Sequence, residues 1–403
     1  MLAGAALVLS LATASGLATP ESVSATLDRL GNADMVLVND PLGPRPVRVL
    51  LATRVSVPAE DVRRLLVEPA SYAAAMPSFR RVDVVSRRER GPGVVDLEIA
   101  WELEVPLWNL KGKLWLRPRP DGVDLELAQG DFAPGLFHIT ARDEKPGRTV
   151  LAIEGFANVR DANWATRRLA QRSPMAEPAI SVAAAYVMLK ALALRAERGA
   201  YARPSAAMAA PELSALDGVP VGAAADLSVD AGKVLAAVRS RDDGRLLRVE
   251  VTVHVAAPAA ALPNRIIRPE VFRALPGWRK ITPVSGNPGE CKIDECKDIS
   301  ALCWNVDTNL PFFSLDGIWK IWPRPWRARA VDGDGKGALM ALDILPGKLP
   351  NRAIVVLSQH PRIDKAGYVA RKLIAAEPLL EHGLTLALTL VDAVALGSAL
   401  AKD

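Results

Sequence analysis

Trp101 to Pro120 reads WELEVPLWNLKGKLWLRPRP, and Trp304 to Pro325 reads WNVDTNLPFFSLDGIWKIWPRP. Set side by side, Trp101 falls on Trp304, Pro106 on Pro311, Leu110 on Leu315, Gly112 on Gly317 and Pro118-Arg119-Pro120 on Pro323-Arg324-Pro325. The shift is about 205 residues, so the chain carries one structural unit twice. Within the first copy, Leu97, Ile99, Trp101, Leu103 and Val105 alternate with Glu98, Ala100, Glu102 and Glu104, the period of a strand with one wet face. The second copy keeps the phase: Leu302, Trp304 and Val306 alternate with Cys303, Asn305 and Asp307. After the turn, Leu110, Gly112, Leu114 and Leu116 match Leu315, Gly317, Trp319 and Ile321, so each copy builds a hairpin with one apolar face.

Working outward, Val47 to Val57 and Leu247 to Val255 read as equivalent long first strands, preceded by short ones at Met35–Val38 and Lys233–Ala237. Ser22 to Asn39 as a whole reads as an irregular lead-in. After each first strand the prolines of VRRLLVEPASYAAAMP and LPNRIIRPEVFRALP predict short, interrupted helices. Further strands are expected at 123–128, 136–141, 149–157, 338–345 and 352–358. Long helical segments, Asp161 to Arg198 and Asp364 to Lys402, close the copies, each broken at an equivalent proline, Pro174 or Pro378. Beyond it, ISVAAAYVMLKALALRAE and LTLALTLVDAVALGSALA are apolar nearly all round, as helices buried against a sheet must be. Asp392 at the centre of the last one speaks against a membrane span.

The net charge of +5 over 403 residues is mild, and no basic stripe interleaved with aromatics accompanies it, so nucleic acid is not an expected partner. The apolar run Leu2 to Ala18 ends in small residues and predicts a secretory signal over 1–18, although it lacks a leading Lys or Arg. The expected division is residues 19–200 for the first domain, a linker rich in Ala, Pro and Ser at 201–229, and 230–403 for the second. An exported, periplasmic monomer follows. The three cysteines all lie in the second copy. Cys291 and Cys296 share an inserted loop and are expected to form a local disulfide, leaving Cys303 as a spare thiol. No motif for a nucleophile elbow, a phosphate loop, a metal or another cofactor is present, and His138, His254, His360 and His382 are scattered. The basic cluster Arg80, Arg81, Arg87, Arg88 and Arg90 reads as a solvated strand end or as a peripheral contact with anionic membrane.

Strand, two short helices, a run of strands and a long closing helix is the layout that resembles the START-like, helix-grip superfamily of lipid-transfer domains, pollen-allergen-like proteins, polyketide cyclases and coenzyme Q-binding proteins. EPASYAAAMPSFRRVDVVSR from Glu68 and RPEVFRALPGWRKITPVS from Arg268 are similar to the stretch in which an aromatic and a proline precede that family's second strand. The resemblance implies an α+β chain of two tandem helix-grip domains, each a curved antiparallel sheet wrapped around its C-terminal helix, with an apolar cavity between. It implies a ligand site lined by Leu97, Ile99, Trp101, Leu103, Leu114 and Tyr186 in the first copy and by Leu302, Trp304, Val306, Phe312, Phe313, Trp319 and Ile321 in the second. The extra rings of the second copy make it the expected holder of the main ligand. The leading expectation is carriage of a hydrophobic small molecule such as a lipid, without chemistry and without a cofactor. The alternative is a polyketide cyclase or dehydrase type of enzyme in which a cavity carboxylate or His acts as acid or base.

Overall fold

The structure is a computed structural model. It describes residues 18–402 apart from 44–45, 106–107, 160–166, 168–170, 172, 200–231, 276, 285–300, 309–315, 361 and 363–367. The proposed signal, the linker and the Cys291–Cys296 loop lie outside the described residues, as do Phe312 and Phe313.

The first half runs α1 (Pro20–Leu30), β1 (Asp34–Asn39), β2 (Val49–Val55), α2 (Ala59–Leu66), α3 (Pro69–Ala75), β3 (Phe79–Gly91), β4 (Val94–Val105), β5 (Trp108–Arg119), β6 (Gly122–Gly130), β7 (Phe132–Lys145), β8 (Arg148–Asn158) and α4 (Ala176–Arg198). The second runs β9 (Lys233–Ser240), β10 (Leu246–Val255), a 3-10 turn, α5 (Pro269–Phe272), β11 (Trp278–Pro283), β12 (Leu302–Thr308), β13 (Gly317–Pro323), β14 (Trp326–Gly333), β15 (Leu339–Pro346), β16 (Ala353–His360), α6 (Tyr368–Ala376) and α7 (Leu380–Leu400). Each half is a helix-grip unit, and the chain is a tandem pair of them.

The halves are fused. β1 pairs antiparallel with its own counterpart β9, with Val36 opposite Ala236. All sixteen strands therefore form one antiparallel sheet, with β11 and β3 at its edges. The closing helices α4 and α7 pack on each other as well as on the sheet, and one apolar core runs through both halves. Their approach is close: a Cβ on Gly383 would stand 2.9 Å from Val187 Cγ2 and 3.1 Å from Ala183 O. Both helices are long and apolar enough to cross a membrane, but each is mostly covered by its neighbours.

The lead-in to β1 is a helix, not an irregular segment. Thr19 accepts a hydrogen bond from Ser22 N as its N-cap, Pro20 occupies the first turn and Gly31 closes it at φ 66°. Val23, Leu27 and Leu30 then fall on one face and bury Met35, Leu37, Leu50, Ala52, Leu235 and Ala237 on the outer side of the sheet. This is why β1 and β2 are apolar on both faces.

The duplicated hairpins differ by two residues in register. Trp101 lies opposite Gly112 on β5, whereas Trp304 lies opposite Trp319 and Val306 takes the place opposite Gly317. Because two residues preserve the strand phase, the same faces still point inward. Each glycine also pairs with a second one across a bulge, Gly112 with Gly130 and Gly317 with Gly333. Gly130 (φ +87°) and Gly333 (φ +85°) occupy backbone that favours glycine, and a Cβ on either would stand 2.5 Å from the partner glycine's Cα.

Candidate functional site

In the second half the ring-bearing residues gather on Phe272 of α5. Its ring stacks on Trp326 at 5.1 Å, meets Trp304 edge-on at 5.3 Å and lies 6.1 Å from Trp278. Trp278 in turn lies 6.2 Å from Trp319. These rings fill much of the space that a larger cavity would need. What remains is a cavity of about 50 Å³ between sheet and closing helix, walled by Trp278, Val306, Trp319, Met340 and Leu388, with Gln359 and Asp392 among its polar lining. That volume suits a few water molecules and falls far short of a lipid.

Asp392 is the unusual group. It sits in the middle of the apolar helix α7, and its carboxylate accepts from the Gln359 amide at 3.0 Å. Gln359 is itself held by the Thr389 hydroxyl, which donates to its carbonyl at 3.1 Å. Burial pushes the Asp392 carboxyl up to about 7, and the Gln359 hydrogen bond offsets only part of that. With Pro174 and Pro378 marking the same point of the two closing helices, Met188 and Ala185 stand where the second half has Asp392 and Thr389. On the paired strands Gly155, opposite Val49, stands where Gln359 lies opposite Val249. The polar trio therefore belongs to one half alone.

The first half has a different polar cluster, at the junction. Asp34 on β1 accepts from Tyr186 at 2.6 Å, from Lys190 at 2.9 Å and from the Thr53 hydroxyl. Burial alone would raise the Asp34 carboxyl, but the Lys190 charge and the three hydrogen bonds outweigh it and hold it below its usual range. Burial beside Asp34 keeps the Tyr186 phenol protonated. The Tyr186 ring stacks at 6.2 Å on His382 of the other half, whose Nε2 lies 3.3 Å from Ser240 Oγ. Burial pushes the His382 imidazole down to about 3, so it is neutral. The histidines are therefore not all remote from hydroxyl and carboxylate partners: His382 faces Ser240, and His138 Nδ1 lies 2.7 Å from Asp124. No sequence motif spans such separations.

The expected lining residues divide accordingly. Ile99 and Trp101 are buried, Trp101 stacking on Phe132 at 6.3 Å, while Leu97, Leu103 and Leu114 are partly buried against the same core. Tyr186 belongs to the junction cluster. Val306 and Trp319 line the cavity, Trp304 and Ile321 are buried beside it, and Leu302, in phase with them at the start of β12, is 42% exposed. Trp278, Gln359 and Asp392 were absent from the expected lining. Among the described residues no group of three metal-ligating side chains comes together. Cys303 is disulfide-bonded. That corrects the expectation of a spare thiol at Cys303, while the expected Cys291–Cys296 pairing itself lies outside the described residues. The arginines of β3 lie along an edge strand beside Asp96, Glu98, Glu102 and Glu104 of β4; Arg81 pairs with Asp83, and Arg90 lies 3.5 Å from Asp96. Charge placed there keeps an edge from pairing with another chain.

No protein-family model matches the sequence, and no curated protein is similar to it. Among solved structures, the Zhui aromatase/cyclase from Streptomyces sp. R1128 is 18% identical over 38% of this chain and 93% of its own, at a TM-score of 0.30. The di-domain ARO/CYC BexL from the BE-7585A biosynthetic pathway is 13% identical over 86% of this chain and 98% of its own, at 0.25. The lipid transfer and protein localization domain of human StarD13 is 13% identical over 40% of this chain and 83% of its own, at 0.26. Superposition at this level goes no further than the kind of fold, which the strand and helix order already displays. The expectation of a protein without chemistry is nonetheless withdrawn, because the structures matched include aromatase/cyclases.

Proposed function

We propose that the chain is an enzyme that binds an apolar small molecule between the sheet and α7 of its second half and uses Asp392 as acid and base. The observation that carries this reading is a carboxyl group set in the wall of an apolar cavity with a neutral amide, Gln359, as its hydrogen-bond partner. A group that titrates near 7 has both its forms populated at neutral pH, which is what proton transfer in both directions needs. For a dehydration, the carboxylate takes the proton α to a substrate carbonyl, and the resulting acid returns it to the β-hydroxyl as the C–O bond breaks. Water and an enone result. At about 50 Å³ the cavity holds no such substrate as it stands, so this reading requires the wall of rings to give way. The disulfide at Cys303 supports export as the setting, since such bonds persist in oxidising compartments.

The test is enone absorbance from an aryl β-hydroxy ketone incubated with wild type and with Asp392→Asn. Turnover by wild type, reduced by about 100-fold or more in the variant, is the expected result. No turnover by wild type across a series of such ketones, or equal turnover by both proteins, would refute it.

A further inference from the structure

The polar groups around the cavity are mostly engaged inside the protein. The Thr308 hydroxyl donates to Asp316 at 3.2 Å, Gln359 is bound through both ends of its amide, and Arg362 has partners of its own. Trp319 differs. Its side chain is buried and lines the cavity, yet its indole N–H has no acceptor among the described residues. A buried donor left unsatisfied is costly, and a few such groups mark the place of something the protein binds. Trp101 and Trp326 also carry unpartnered indole N–H groups, but they are packed among rings and do not line this cavity. On β13, Trp319 lies opposite Trp304 across the hairpin, and its ring lies 6.2 Å from that of Trp278.

Resting on the cavity reading above, we infer that Trp319 is the specificity-determining residue of the site: its indole N–H donates to an oxygen of the ligand, so the cavity takes apolar molecules that bear a carbonyl or hydroxyl in preference to plain hydrocarbons. Asp392 on the same cavity then meets a ligand already fixed by its oxygen.

Two probes of similar size, acetophenone and ethylbenzene, test this with the full chain labelled with ¹⁵N-tryptophan. Acetophenone is expected to bind about tenfold more tightly and to shift one indole N–H signal, identified as Trp319 by its loss in Trp319→Phe. That variant keeps an aromatic ring but removes the donor, and should bind the two probes alike. Equal binding of both probes to wild type, or an acetophenone preference that survives in Trp319→Phe, overturns the role of Trp319 while leaving the apolar cavity standing. Binding of neither probe overturns the cavity reading and this inference together. If Trp319→Phe does not fold, the two probes on wild type decide the matter.

Discussion

Replacing Asp392 by Asn should stabilise the protein, and by an amount that depends on pH. The side chain titrates at about 7 in the folded chain against an ordinary value of 3.8. Because the folded value is the higher, the folded state binds the proton more tightly, and the stability linked to that proton is fully present below about pH 4. It is lost as pH rises through the folded value. At about 1.4 kcal/mol for each pH unit, the loss amounts to about 4 kcal/mol once both states are ionised. Asparagine keeps the shape and accepts from Gln359 as the acid does, but never ionises. Urea unfolding of wild type and Asp392→Asn at intervals from pH 4.5 to 8.5 should show a gap that widens by about 1.4 kcal/mol per pH unit up to about 7 and then levels off. A constant gap across that range, or a variant less stable than wild type at pH 8, would show that the carboxyl is not held in an apolar wall. A gain in stability would also mean that any lost turnover in this variant comes from the missing carboxyl and not from unfolding.

Gly130→Ala and Gly333→Ala should each cost about 2 kcal/mol or more, since both force a side chain into left-handed backbone against a facing strand; thermal unfolding checks this, and an unchanged midpoint would contradict the paired-glycine bulge. Tyr186→Phe removes one of three hydrogen bonds from a buried carboxylate and should lower stability by about 1.5 to 3 kcal/mol. Alkylation of unreduced protein followed by peptide mapping should leave Cys303 unlabelled; label on Cys303 would mean its bond is absent. A first half expressed alone, residues 19–200, should fail to unfold cooperatively as a monomer, because it bares the β1 edge and the face of α4 that α7 covers.

What the sequence made legible was whatever has a short period. Alternation set the hairpins and their phase, the prolines marked the broken helices, and the repeat marked the duplication. α1 was legible too, through Thr19-Pro20 and the helical spacing of Val23, Leu27 and Leu30. The pairing of β1 with β9 was not legible, because strands apolar on both faces do not say which neighbour covers an edge. Nor were the polar clusters: Asp34 and Tyr186 are 152 positions apart, and Ser240 and His382 are 142 apart. Asp392 stood out in the sequence only as an obstacle to membrane insertion. Its significance depends on what faces it, and Gln359 comes from a different strand-bearing stretch of the chain.

The duplication then explains why a site sits in one half. Beside the paired β1 and β9, Asp34, Tyr186 and Lys190 of the first half hold one another, and Tyr186 stacks on His382 of the second. Their counterparts in the second half, Val234, Leu390 and Val394, are apolar. The second helix also carries polar residues on a neighbouring face, Thr389 and Asp392, where they turn to Gln359 and the cavity. In the first half that face reads Ala185 and Met188 against Gly155, which offers neither an acid nor a donor. Both halves thus supply the junction, and the second alone holds the titratable wall. Substituting Met188 by Asp would not recreate the site, because no amide stands at Gly155 to receive the carboxyl and the cost of burying it would go unopposed.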